Sequence, residues 1–217
     1  MRLVLVVCLA MPIATLLAQN PPSIQAGGSA TINVNPDQAQ LNVGVTTQAS
    51  TAQAAAEQNA SQTTAVIAAL KALLGSGGSI QTVGYTVYPN YTTGNVITGY
   101  TVTNTLQATT GDLSLPGPLI DAANKAGATN VGSLAFGLKD SDPVRQQALT
   151  LAGKQALAHA NAIAAGLGAK TGALLSAQEG AGVTPYSGVS AGATSTPILT
   201  GTVSVTATVT VAVQLVQ

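Results

Sequence analysis

Cysteine, tryptophan and charge are nearly absent from this chain. Its 217 residues include one cysteine, no tryptophan and one histidine, and charged residues make up 6% of the sequence, against roughly 25% in an ordinary soluble domain. The cysteine, Cys8, lies in an apolar run at the N-terminus. Removal of that run leaves no thiol, which excludes disulfides, thiolate catalysis and cysteine-based metal sites from the remaining chain.

The N-terminus has the pattern of a secretory signal peptide. One basic residue, Arg2, precedes an apolar run over residues 3–17 and a polar break at Gln19. A basic start followed by about 7–15 apolar residues is typical of such a signal, and we expect cleavage after Ala18. Pro12 and the short run argue against a spanning helix, which needs about 20 apolar residues. A retained membrane anchor or a short buried helix is the alternative.

The charges in the rest of the chain are scattered and almost balanced. The sequence has seven Lys and Arg residues and seven Asp and Glu residues, so removal of Arg2 leaves six basic residues and a net charge of −1. Because no basic stripe is present to follow a phosphate backbone, we expect no nucleic-acid partner. A near-neutral surface gives little repulsion between copies, which favours self-association.

The clearest structural pattern lies at the C-terminus. From Thr202 to Gln217, apolar residues alternate with serine, threonine, alanine and glutamine. A period of two sends alternate side chains to opposite faces of a strand, so this segment predicts a long strand with one apolar face. Shorter alternating runs over residues 83–87 and 100–106 flank a Thr/Gly/Asn loop and predict a hairpin. We expect strands that are adjacent in sequence to pair in this way.

Three segments have apolar residues at helical spacing. The first follows Ser50, whose spacing to Gln53 resembles a capping box, and ends near Leu74. The second is predicted over residues 113–126. The third begins with Asp142 as its N-cap and ends before Gly168. Apolar positions of the third helix include Ala148, Leu151, Ala152, Ala156, Ile163 and Leu167.

Strand pairs separated by helices predict an α+β fold. In this fold about three amphipathic helices pack on one face of antiparallel sheet, next to the long C-terminal strand. We expect a signal peptide over residues 1–18 and an α+β domain over residues 19–217, either as one unit or as two packed lobes near residues 27–110 and 111–217. Residues 180–198, rich in Gly, Ser, Thr, Ala and Pro, predict a flexible loop.

The ionisable residues form no recognisable catalytic or metal-binding motif. His159 stands in an alanine-rich helix, without the partners that a catalytic imidazole or a metal site requires. Asp140 and Asp142 precede a helix, where capping explains them better than ion binding. Three further acids stand alone in sequence: Glu57, Asp121 and Glu179. We predict no catalytic residue, cofactor or metal; a hydrolase that combines His159 with a carboxylate and a hydroxyl is the enzymatic alternative.

Four tyrosines, Tyr85, Tyr88, Tyr91 and Tyr100, cluster around the predicted hairpin. Aromatic side chains at a loop anchor partner proteins or glycans, so these four are the candidate contact residues. The competing interpretation is that they are half-buried and brace the hairpin.

Several short motifs follow one another in a characteristic order. They include Pro36-Asp37, Asn59, Pro89-Asn90-Tyr91, Gly99-Tyr100, Gly127-Ala128-Thr129-Asn130-Val131, Arg145 and Pro197-Ile198-Leu199-Thr200-Gly201. This order resembles the SIMPL-domain family (domain of unknown function 541), which includes periplasmic immunogenic proteins. The resemblance covers nearly all of the chain after the signal. It implies an exported α+β protein, periplasmic or outer-membrane-associated, without an established catalytic site. Some relatives form ring or channel-like oligomers, and others are linked to oxidative stress tolerance.

These observations predict a non-enzymatic exported protein that forms a homo-oligomer and supports envelope or oxidative stress tolerance. The alternative is a binding module for a small ligand, a glycan or a protein, with the tyrosine-rich hairpin as its contact surface.

Overall fold

The structure is a computed structural model that describes residues 21–180, 187–188 and 200–217. The predicted signal peptide and most of the predicted loop over residues 180–198 lie outside these ranges. The described elements are β1 Ser23–Val34, β2 Gln38–Ala49, α1 Ala52–Leu74, β3 Gly78–Tyr91, β4 Ile97–Thr110, α2 Pro116–Lys125, β5 Asn130–Gly137, α3 Asp142–Gly166, β6 Lys170–Glu179, β7 Ser187–Gly188 and β8 Val203–Val216. No helix in these residues is long and apolar enough to cross a bilayer.

The strands form two antiparallel sheets, which confirms the predicted α+β fold with its long C-terminal strand. One sheet has the order β1-β8-β6 and the other β3-β4-β2-β5-β7. Pairing of sequence neighbours is confirmed for β3 and β4 but is wrong for β1 and β2, which lie in different sheets. The reason is that β8 offers β1 an unbroken partner from Ser23 to Val34. Both sheets therefore contain strands from each side of residue 110.

Helices α1 and α2 cover one face of the five-stranded sheet. Helix α1 lies over β4 and β2, and α2 packs beside it near β5. Their shared core is formed by Leu41, Val43, Val45, Val66, Leu70, Leu74, Leu106, Ala108, Leu119 and Ala123.

A buried asparagine fixes α1 to the sheet beneath it. The Asn59 side-chain amide donates to the carbonyl oxygens of Val45 at 2.8 Å and Val102 at 3.2 Å. Its Oδ1 accepts a hydrogen bond from the Thr63 hydroxyl at 3.2 Å. Because buried polar atoms without partners are costly, this network specifies how α1 sits over β2 and β4.

Helix α3 packs unusually closely on the three-stranded sheet. Its buried face consists of Ala148, Ala152, Ala156, Ala160 and Ala164. A Cβ atom on Gly28 of β1 would lie 2.1 Å from the Ala152 carbonyl oxygen and 2.5 Å from the Ala156 nitrogen. The backbones of α3 and β1 are therefore in contact, and this contact requires glycine on the strand and alanine on the helix.

The close packing corrects the predicted inner face of the third helix. Its alanines are buried as expected, but Leu151, Ile163 and Leu167 are exposed, because only a methyl group fits between helix and sheet.

The predicted helix boundaries also need correction. Helix α1 is capped by Thr51 rather than Ser50, through a hydrogen bond of 3.2 Å from the Ala54 N–H to the Thr51 hydroxyl. Helix α2 spans Pro116–Lys125 and is therefore shorter than the helix predicted over residues 113–126. The N-cap of α3 is Ser141, and Asp142 lies in its first turn.

Candidate functional site: the β3–β4 hairpin

The β3–β4 hairpin extends beyond the rest of its sheet. Strand β2 pairs with β4 only as far as Ala49 and Tyr100, whereas β3 and β4 stay paired to Tyr91 and Ile97. Residues 89–99, here called the finger, therefore project as two strands with no third strand beside them in the described chain. An isolated two-stranded hairpin is marginally stable in water. The stability of the finger therefore depends on the contacts within it and on what its surface side chains contact.

Polar contacts hold the finger in shape. At its tip, the Thr92 N–H donates to the Val96 carbonyl at 3.0 Å. Asn95 has a φ of 60°, in the left-handed region that asparagine tolerates better than most residues. Nearer the base, the Thr101 hydroxyl donates to Asn90 Oδ1 at 3.0 Å. Asn90, in the motif quoted for the family resemblance, thus connects β3 to β4 at the base of the finger.

Three of the four candidate tyrosines are largely exposed. Tyr85, Tyr88 and Tyr91 are 52%, 60% and 58% exposed, whereas Tyr100 is half-buried. Several aliphatic side chains of the same hairpin are exposed as well: Val83, Val87, Val96 and Ile97. The hairpin therefore presents an apolar surface that the described residues do not cover.

The tyrosines do not form one pocket. Residues directly opposite each other in paired strands lie on the same face of the sheet. Tyr85 lies opposite Asn104 and Tyr100 lies opposite Pro89, and all four residues are on the face that carries α1. Tyr88 lies opposite Thr101, on the other face. The arrangement gives apolar contacts on both sides of the hairpin rather than a cleft for a small molecule.

The hairpin also lacks charge. No Asp, Glu, Lys or Arg occurs between Lys71 and Asp112. At its base, Asp112 accepts hydrogen bonds from the Ser114 hydroxyl at 2.6 Å and the Ser114 N–H at 2.9 Å, and these lower the pKa of the Asp112 carboxyl. A surface without ions is inexpensive to dehydrate, which suits it to contact with another molecule.

In the described part of the chain β3 is an edge strand, but its backbone is poorly suited to pairing with a further strand. The register against β4 shifts between Thr82 and Gly84 and again between Asn90 and Tyr91. Pro89 has no N–H to donate. A partner at this edge is therefore expected to meet side chains rather than to extend the ladder of hydrogen bonds.

A family model described as SIMPL, a protein of unknown function (DUF541), matches residues 24–213. The chain belongs to the SIMPL family. The match runs from β1 into β8 and includes the hairpin, so the predicted resemblance is confirmed. No curated protein matches the chain.

His159, the one histidine of this SIMPL-family chain, lies exposed on α3 and contacts β1. Its Nδ1 is 2.8 Å from the Gly27 carbonyl oxygen. It borders a shallow groove of about 380 Å³, which is lined by Gly27, Gly28, Ser29, Gln155, His159, Thr208, Val209 and Thr210. Hydroxyl groups share this groove with the imidazole, but the residues that line it include no carboxylate.

The acidic residues singled out from the sequence are dispersed. Glu57 accepts a hydrogen bond from Gln53 at 2.9 Å. Glu179 forms an ion pair with Arg145, which raises the pKa of the guanidinium. Asp140 accepts from the Asp142 N–H at 3.0 Å, next to the start of α3, and Asp121 is exposed on α2. In the described ranges, no group of three or more His, Cys, Asp or Glu side chains is arranged to hold a metal ion.

Two residues outside the predicted sites, Gln155 and Gly28, help to form the groove beside His159. Gln155 accepts a hydrogen bond from the Ser29 N–H at 2.8 Å, and Gly28 permits the close approach of α3. The signal in the sequence is the Gly27-Gly28 pair inside a strand, since glycine in a strand often marks a close backbone approach.

Proposed function

We propose that this protein is a non-enzymatic, exported member of the SIMPL family that self-associates through the β3–β4 hairpin. The main support is the β3–β4 hairpin, which combines exposed Tyr88, Tyr91, Val96 and Ile97 with a complete lack of charge. Large exposed apolar patches on soluble proteins generally mark contact surfaces.

The chemistry of this surface favours a second copy of the same chain as the partner. A charged partner would find no ion to pair with between Lys71 and Asp112. A second hairpin offers the same tyrosine, valine and isoleucine side chains, and self-complementary contact of identical patches is the usual basis of a two-fold interface. Burial of aromatic side chains supplies much of the binding energy at such interfaces.

Size-exclusion chromatography with light scattering tests this proposal on the processed chain. We expect wild-type protein at micromolar concentration to have a mass of several chains. Tyr88→Lys/Tyr91→Lys should shift the mass towards one chain, because two buried ammonium groups without partners oppose association.

Leu151→Lys/Leu167→Lys is the matched control, since it adds the same two charges at exposed apolar positions of α3. It should keep the wild-type mass. Equal masses for the two double variants, with both folded by circular dichroism, would show that the hairpin is not the contact surface.

The same exposed tyrosines also support the second candidate function, a binding module for a glycan or another protein. The two functions differ in one result. The binding module is favoured if the wild-type protein stays at the mass of one chain and its tyrosine fluorescence changes on addition of a glycan or protein ligand. The fluorescence of the variant with the hairpin substitutions should then not change on the same addition.

We further propose that the assembly supports envelope or oxidative stress tolerance, which rests on the family resemblance alone. A strain without this protein should survive peroxide less well, and the wild-type chain should restore survival while Tyr88→Lys/Tyr91→Lys should not. Equal survival with and without the protein counts against this role.

A further inference from the structure

Among the residues that the structure describes, β1 is an edge strand that lacks the usual sequence features that prevent pairing with another chain. It occupies the end of the β1-β8-β6 sheet. Between Ser23 and Val34 it contains no charged residue and no proline, and its register against β8 has no shift. Charges, prolines and bulges are the features that normally prevent edge-to-edge association. The other long edge strands, β3 and β6, both have register shifts.

The hydrogen bonds to β8 determine which backbone groups of β1 point outward. The Leu215 N–H donates to the Pro22 carbonyl at 2.8 Å, and the register is continuous from there. Because directly opposed residues in an antiparallel pair alternate between bonded and non-bonded, the even-numbered residues of β1 bond to β8. The N–H and carbonyl groups of Gly27 and Ser29 therefore face away from the sheet.

Two side chains from α3 bind these outward groups. The Gln155 Oε1 accepts from the Ser29 N–H at 2.8 Å. The His159 Nδ1 lies 2.8 Å from the Gly27 carbonyl oxygen, and since a carbonyl only accepts, the imidazole donates. The two side chains are four residues apart, on the same face of the helix.

Together, Gln155 and His159 reproduce the hydrogen bonds of one residue in a neighbouring strand. In a parallel pair, a residue donates its N–H to one carbonyl of the adjacent strand and accepts from the N–H two residues further on. The donor at Gly27 and the acceptor at Ser29 have this spacing. A strand that pairs with β1 would have to displace both side chains.

The close packing of α3 brings these side chains to the edge. Gly28, between the two bonded residues, points its Cα hydrogen into the backbone of Ala152 and Ala156. Without that contact, a glutamine and a histidine on the helix would stand further from the β1 backbone.

We infer that Gln155 and His159 form an edge guard that prevents β1 from pairing with β1 of a second copy. Without the guard, the strand expected to pair with this edge is β1 of a second copy, because two antiparallel copies of an uncharged, unbroken strand match without repulsion. This surface is separate from the hairpin, so the guard holds whether or not the protein self-associates through β3 and β4.

Removal of both side chains tests the inference. Gln155→Ala/His159→Ala should show a mass by light scattering that rises with concentration to at least twice the wild-type value. Gln147→Ala, an exposed glutamine on the same helix, should match wild type. Addition of Ser29→Lys to the double variant should restore the wild-type mass, since a lysine on an edge strand opposes pairing. A folded double variant with the wild-type mass at every concentration would overturn the inference.

Hydrogen exchange on the wild-type chain gives a second test that needs no variant. The Ser29 N–H should exchange about tenfold more slowly than the N–H groups of Gly27 and Thr31, which also point outward from β1, because its bond to Gln155 must open first. Equal exchange rates at the three positions would contradict the guard.

Discussion

At the scale of single residues, hydroxyl and amide groups decide where α1 begins and how it is held. The Thr51 hydroxyl accepts from the Ala54 N–H, while Gln53 does not complete a capping box with Ser50 and instead donates to Glu57 at 2.9 Å. Further along the helix, Asn59 binds carbonyls of two strands. The start of α1 and its position on the sheet thus depend on different polar groups.

The assignment of the cap to Thr51 predicts different effects for two neighbouring substitutions. Thr51→Ala should lower the free energy of unfolding by about 1 kcal/mol, the usual cost of an N-cap. Ser50→Ala should have an effect of less than about 0.5 kcal/mol, as expected for an exposed position away from such features. Urea denaturation of both variants measures the difference. A larger loss for Ser50→Ala would mean that the helix begins one residue earlier.

At the scale of secondary-structure elements, the contact between α3 and β1 determines what the surrounding residues can be. Five alanines form the inner face of the helix, and Gly28 lies against its backbone. Leu151, Leu157 and Ile163 of α3 are exposed because no space remains for larger side chains between the two elements. The same contact brings Gln155 and His159 to the edge of β1.

Adjacent glycines in β1 provide a direct test of this packing. Gly28→Ala should lower the free energy of unfolding by about 2–3 kcal/mol or more, since its methyl group would overlap helix backbone that cannot move alone. Gly27→Ala is the control: nothing lies within 4 Å of its added Cβ, so stability should change little. Urea denaturation compares the two, and similar losses would show that α3 does not approach β1 this closely.

The elements differ in how well the sequence predicts them, for physical reasons. The strand period of β8 is local, and its buried side chains, among them Val211 and Val213, follow the predicted face. The inner face of α3 depends on its distance from β1, and that distance depends on Gly28, far away in sequence. Hydropathy ranks leucine above alanine, so the pattern alone places Leu151 inside, where the structure has no room for it.

The hairpin was predictable as a pair of strands, but its projection was not. Alternation around Tyr85 and Tyr100 indicates two strands and a loop. The extension of the finger depends on where β2 stops pairing, at Ala49 and Tyr100, which is a property of the whole sheet. The two faces on which the tyrosines lie depend likewise on the register shift near Gly84.

At the scale of the whole molecule, the scarcity of charge has opposite consequences at different edges. The β3 edge has register shifts and Pro89 that limit strand pairing, yet it exposes Tyr85 and Tyr88 for contact through side chains. The β1 edge is regular, and Gln155 and His159 cover its outward groups. We propose that this division directs association to the hairpin and away from the β1 backbone.

Native mass spectrometry of the processed wild-type chain at micromolar concentration tests the central claim most directly. Self-association through an uncharged hairpin predicts a defined complex of several chains that falls apart on introduction of lysine at Tyr88 and Tyr91. A wild-type spectrum with only the mass of one chain, across the whole concentration range, would contradict it.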